Sequence, residues 1–418
     1  MIQRNRAPLT QQIDKIDFIC PKEIWINPHV KFLWMEQVPN QTSRIDLYFD
    51  AGLRKDRNIV ASICSALLLS GTNQKTSTQI HSQLDELGSY FDIGLSHEGI
   101  LISVFALKTN LLESVEILYD AIQNVIFPEK EINEMINERR EKHKINEKKV
   151  SFLSQRKFQE KIFYDTPYSE LTNLKDYDQI SRNDLINFHK QNIKKGLYKI
   201  ALVGSLEEKE INSLIHLVKG NCVKKKLTYF SDFSNQPGVF TVPMDSALQS
   251  ALRVGKTMFN KSHTDFYDFS ILNTVLGDYF GSRLMKNIRE DKGYTYGIGS
   301  ALVETGASGY FIIGSEVGIE HIQPTLTEIK KEMDLLCEKE MGANELDIVK
   351  NYLFGQMLKS ADGPYAMMDL FLSVDAYMLN IDFYNHYITR IHEITPEDLR
   401  NMANKYLKWD SMSVVHTI

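Results

Sequence analysis

The chain has 418 residues, of which 43% are hydrophobic and 24% charged, and a net charge of −6. That size and balance suit a globular protein with two or three sizeable cores, and the mild acidity gives no electrostatic basis for nucleic acid or an anionic membrane as partner. Four cysteines (Cys20, Cys64, Cys222 and Cys337) lie far apart with no CxxC pair, which excludes a zinc ribbon or a disulfide framework. Three of them sit in apolar or mixed surroundings and read as buried thiols of a reducing compartment.

In chain order, the first residues carry charge but no apolar h-region follows, and no apolar run approaches a membrane span. The expectation is a cytoplasmic chain. Residues 44–50 alternate apolar and polar, as a half-buried strand should. Residues 59–69 read as a buried helix ended by Gly71. Ser77 or Thr78 can cap the next helix, in which Ile80, Leu84 and Leu87 share a face before Gly88 stops it. Strands are expected at 90–96 and 100–107. Leu112, Val115, Leu118, Ile122 and Val125 then mark an amphipathic helix ending before Pro128. Residues 129–165 are strongly charged with sparse apolar positions and predict long, solvent-facing helices.

Two stretches repeat at long range. Residues 180–187 and 394–401 each open a helix on a capping residue (Ser181, Thr395) with acidic residues in the first turn, and each is followed by a strand, at an offset of 214 residues. Residues 88–94 echo residues 293–299 at an offset of 205. The reading is α+β: two tandem homologous domains, each a mainly antiparallel sheet backed by helices. The expected spans are 1–228 and 238–418, divided by a turn-rich stretch after the basic Lys224, Lys225 and Lys226.

The second half carries the most informative stretch, residues 281–296. A short amphipathic helix ends in the charged cluster Arg289, Glu290, Asp291 and Lys292, then Gly293, and a strand is expected to start with Tyr294 and Tyr296. Residues 360–365 break two long helices with turn residues. Phe354, Tyr365, Phe371 and Tyr377 read as core aromatics. The histidines form no HxH, HxxxH or HxxEH pattern.

This layout resembles the pitrilysin/insulinase family of zinc metallopeptidases in its small two-domain form, over nearly the whole chain. In active members a first-domain helix carries HxxEH a few residues before a Gly-Thr pair, and a glutamate about 75 residues later completes the zinc site. Here the helix leads to Gly71-Thr72, but the five matching positions are Ser62, Ile63, Cys64, Ser65 and Ala66. Glu141 lies near the place of the distal ligand and reads as part of a solvated helix face. The resemblance therefore implies a degenerate zinc site and no cofactor bound by this chain. A serine nucleophile at Ser62 or Ser65 is disfavoured, since neither lies in a GxSxG elbow or has a local histidine.

The family's non-zinc partner subunit carries an Arg and a Tyr seven residues apart that bind substrate backbone and oxyanion. Arg289 and Tyr296 match that pair and its flanks. The equivalent first-half positions are Leu84 and Phe91. An arginine offers a charged fork to a peptide carbonyl, and a tyrosine hydroxyl can donate to a developing oxyanion. The resemblance implies a non-catalytic, substrate-binding subunit of a heteromeric zinc metallopeptidase. It would supply Arg289 and Tyr296 to an HxxEH-bearing partner that holds the zinc, and peptides would be held extended. The alternatives are a scaffold protein and a stand-alone peptide-binding module, which alone could homodimerise.

Overall fold

In a computed structural model, which describes residues 13–28, 30–36, 41–221, 233–245, 247–306 and 308–418, two sheets are built by the same rule. The first half runs β1 (Lys22–Asn27), β2 (Val30–Met35), β3 (Thr42–Phe49), α1 (Asn58–Ala66), α2 (Ser77–Glu86), β4 (Tyr90–Leu95), β5 (Ile100–Leu107), α3 (Leu111–Gln123), α4 (Glu129–Asn146), α5 (Val150–Ile162), α6 (Arg182–Phe188), β6 (Leu197–Val203) and α7 (Glu208–Val218). The second runs β7 (Gly238–Val242), β8 (Gln249–Met258), α8 (Phe266–Leu276), β9 (Ile298–Glu304), β10 (Gly309–Gly318), α9 (Ile322–Glu338), α10 (Ala343–Ser360), α11 (Gly363–Asp375), α12 (Asp382–Glu393), α13 (Pro396–Tyr406) and β11 (Ser413–Thr417).

The sheets have the orders β1-β2-β6-β3-β5-β4 and β7-β11-β8-β10-β9. In each, one parallel pair (β2–β6, β7–β11) joins an otherwise antiparallel ladder. Strands β6-β3-β5-β4 thus correspond to β11-β8-β10-β9, which is the duplication expected from the sequence. Ser181 and Thr395 each accept a hydrogen bond from the N3 amide, closing matched capping boxes with Asp184 and Asp398. The expected division at 228–238 falls partly outside the described residues, as do Cys222 and Lys224 to Lys226.

Several local expectations shift. Helix α1 ends at Ala66, before the apolar run 67–69, which continues as a buried turn. The cap of α2 is Thr76, whose hydroxyl accepts from the Gln79 amide, instead of Ser77 or Thr78. Among the three described cysteines only Cys64 is buried, and Cys20 is exposed.

The larger correction concerns the charged segment 129–165. Helix α4 does face solvent over much of its surface, but α5 lies on the second half's sheet. Its Phe158 and Ile162 pack with Val415 of β11, with Tyr310 and Ile312 of β10 beside them. In exchange, α11 of the second half covers the outer face of the first sheet, where Met368 and Leu372 pack on Leu33, Met35, Ala201 and Val203. Each sheet therefore has its own half's helices on one face and the other half's helix on the opposite face. Gly255 of β8 admits this exchange. A Cβ built there lies 2.9 Å from the Phe158 ring and 2.0 Å from the Phe311 carbonyl oxygen. Gly255→Ala is expected to lower stability by about 1–3 kcal/mol through overpacking, read as a fall in the denaturation midpoint. An unchanged midpoint would show that α5 can move away at no cost.

Candidate functional site

The stretch 283–291 forms one helical segment whose last part, Met285–Asp291, is a π-helix, a wide turn often found at functional sites. Gly293 follows at φ +66°, and the equivalent first-half Gly88 sits at φ +62°. Both occupy the left-handed region in which a glycine closes a helix at no steric cost. The amide after each glycine reaches back into its helix: Ser89 donates to Leu84 O at 3.0 Å, and Tyr294 to Ile288 O at 3.1 Å. The second-half closure spans one residue more because its turn is π-helical.

This turn is clamped on three sides. Leu284 and Ile288 are fully buried in the second core. Arg283 makes a bidentate ion pair with Glu345 of α10, at 2.8 and 2.9 Å. Asn287 donates to Glu328 and Glu332 of α9, at 2.9 and 2.6 Å. Beyond the glycine, Tyr294 stacks on His321 with ring centroids 4.6 Å apart. The Thr295 hydroxyl donates to Glu316 O at 2.7 Å and Ser315 donates to Thr295 at 3.0 Å.

Arg289 and Tyr296 are what this framework leaves free. Among the described residues the Arg289 guanidinium forms no hydrogen bond or ion pair, with neither Glu290 nor Asp291 as partner, and lies 4.8 Å from the centre of the exposed Phe280 ring. Tyr296 is 96% exposed and its hydroxyl has no partner among the described residues. The strand expected to begin with the tyrosines starts at Ile298 instead, so Tyr296 belongs to the connection before it. A held backbone with an unpartnered cation and phenol is suited to bind something outside this chain.

The first-half site is built differently. Ser62, Ser65 and Ala66 lie on the face of α1 beside β4, and line a pocket with Leu53, Phe91, Asp92, Ile93, Leu95 and Arg139. Ser65 donates to the Ser62 carbonyl at 3.0 Å, and Arg139 of α4 donates to the Ser62 hydroxyl at 3.3 Å. Glu141 is exposed and pairs with Lys144 at 2.7 Å. The Cys64 thiol points into the core toward Leu185 O, where burial pushes its pKa up. Two hydroxyls, an alanine and a guanidinium do not fit a zinc ion, which needs thiolate, imidazole or carboxylate donors. No cluster of three such donors occurs among the described residues. The feature missed in the sequence is Arg139. It lies 77 residues after Ser62, two residues before Glu141, and its guanidinium, not the Glu141 carboxylate, reaches the α1 face.

A larger cleft of about 510 Å³ lies between the halves, walled by Tyr48, Tyr198 and Tyr377. Its carboxylates are paired, Glu98 with Arg54 and Glu304 with Lys261, so it offers a structural seam more than a reactive group.

Fold and sites together define a duplicated α+β chain in which α1 presents Ser62, Ser65 and Ala66 beside Arg139. Comparison with known proteins agrees. Residues 31–170 match the insulinase (peptidase family M16) domain, and residues 179–353 match the peptidase M16 inactive domain. The chain belongs to the M16, or pitrilysin/insulinase, family. It is 23% identical over 294 residues to an uncharacterized zinc protease of Rickettsia felis, covering 68% of this chain and 69% of that one. It is also 22% identical over 209 residues to a probable mitochondrial-processing peptidase subunit beta of Arabidopsis thaliana, covering 48% of this chain and 39% of that one. In fold it is similar to a peptidase M16 inactive domain from Pseudomonas fluorescens, with a TM-score of 0.86 at 22% identity, covering 95% of this chain and 98% of that one.

Proposed function

We propose that this chain is the non-catalytic subunit of a two-chain zinc metallopeptidase acting on peptides or unfolded segments. A partner of the same family bearing HxxEH holds the zinc and the activated water. This chain closes against it and presents Arg289 and Tyr296 to the scissile peptide. The observation that carries the reading is the free Arg289–Tyr296 pair on a turn clamped to α9 and α10. A scaffold has no need to keep a cation and a phenol unpartnered. The chemistry is transition-state binding: the guanidinium holds a peptide carbonyl, and the phenol donates to the oxyanion as charge develops. The similarity to a named peptidase subunit supports a multi-chain enzyme.

Mixing this protein with an HxxEH-bearing family member and following a quenched fluorescent peptide library tests the proposal. Cleavage is expected in the mixture and not with this chain alone. Absence of both cleavage and a complex on a sizing column would leave the stand-alone binding module or scaffold as the better account.

A further inference from the structure

We infer that the degenerate zinc pocket of the first half is a carboxylate receptor, and that its ligand is the C-terminal carboxylate of an extended peptide laid along β4. The inference concerns this chain alone and does not depend on a partner subunit.

Three observations converge on it. Strand β4 is the free edge of the first sheet, and Phe91, Asp92, Ile93 and Leu95 of that strand line the pocket. An extended peptide can therefore pair with the outer edge of β4 while touching the pocket. The edge also stops. Leu53 donates its amide to Ser96 O at 3.0 Å and Arg54 to His97 O at 3.4 Å, so this chain's own backbone takes the partners beyond Leu95. A strand added to β4 runs out of room there, which suits a chain end better than a continuing chain. Finally, the pocket presents a guanidinium where the family's metal-binding design has a metal. The half-buried Arg139 guanidinium has no carboxylate partner among the described residues, and its one hydrogen bond uses a single N–H on the Ser62 hydroxyl. Its remaining N–H groups, and the Ser62 proton, are free to meet a carboxylate. Ser65 is committed to the Ser62 carbonyl and sets the helix face. Asp92 is the one acidic side chain lining the pocket; it is exposed, so water and salt screen its opposition to an anion. On this inference the pocket framed by α1 and β4 receives an anion in place of a cation.

The test is fluorescence anisotropy on the full chain, with a short fluorescein-labelled peptide of mixed Ala, Val, Thr and Ser made as the free acid and as the C-terminal amide. A charge-assisted contact predicts that the free acid binds about 10- to 100-fold more tightly. Arg139→Gln should erase that preference, and Ser62→Ala should reduce it by a few-fold. Circular dichroism and the unfolding midpoint check that each variant is folded, and Ser62→Ala carries the test if Arg139→Gln is not. Equal binding of acid and amide overturns the inference, as does binding of neither. A preference that survives Arg139→Gln also overturns it. An amidated peptide with one internal Glu separates the sources: binding as tight as the free acid would assign the pocket to acidic side chains and overturn the terminal reading.

Discussion

Arg289→Ala or Tyr296→Phe is expected to lower the turnover of the reconstituted two-chain peptidase by about 10²-fold or more, with this chain's stability unchanged. The separation of the two effects follows from the geometry. Neither side chain has a hydrogen-bond partner within the described residues, and Tyr296 is almost wholly in solvent, so removing them breaks no internal contact beyond the Arg289–Phe280 stacking. The turn that carries them is held by Arg283, Asn287, Leu284 and Ile288, all untouched by the substitutions. The two should differ in kinetic form. A phenol that donates only as the oxyanion develops affects kcat and kcat/KM alike, whereas an arginine that also holds the bound peptide raises KM as well. Arg289→Lys should recover little, because a point charge cannot reproduce a planar fork. Unchanged turnover in both variants would reduce the pair to a surface feature.

Arg44→Met is expected to cost about 3–5 kcal/mol of stability, the largest effect of any single change considered, because it strands a buried carboxylate. Arg44 and Asp46 are successive positions on the face of β3 that α11 covers, with side chains only 10% and 4% exposed and 3.1 Å apart. Asp46 also accepts from the Ser103 hydroxyl at 2.7 Å, and Arg44 reaches across to Asp369 of α11 and lies over the Tyr365 ring. The arginine thus compensates Asp46 and ties the second half's α11 to the first sheet. Burial raises the Asp46 pKa by more than Arg44 lowers it. Since the folded-state value lies above the unfolded one, the folded protein takes up a proton first as pH falls, and the penalty of the buried charge fades through that range. Removing Arg44 raises the value further. The deficit of Arg44→Met should therefore be largest near neutral pH and shrink on acidification, and the double variant with Asp46→Asn should regain much of the loss. A pH-independent deficit, or no recovery in the double variant, would show that packing and not charge holds this seam.

The sequence by itself determined the α+β duplication, because its signals are local. Capping residues, helix-ending glycines and alternating strands act over a few residues, and the pairs Ser181/Thr395 and Gly88/Gly293 mark the same turns in both halves. The side-chain types at Ser62, Ser65 and Ala66 were equally legible, since a hydroxyl or a methyl group is a poor zinc donor wherever it points. Tertiary structure decided what depends on which surfaces meet. The alternation of β3 looked like a strand with one wet face, yet Arg44 and Asp46 are buried, because a helix some 320 residues onward covers that face. The charged α5 looked solvent-facing, yet it covers the other half's sheet, since a few well-placed apolar residues among long polar side chains suffice to pack a helix. Whether position 139 or 141 of α4 faces the degenerate site turns on where each points around a helix: two residues apart are about 200° apart, so Arg139 enters the pocket while Glu141 stays in solvent. Local patterns write the elements; only their packing across the chain says which side of each is inside.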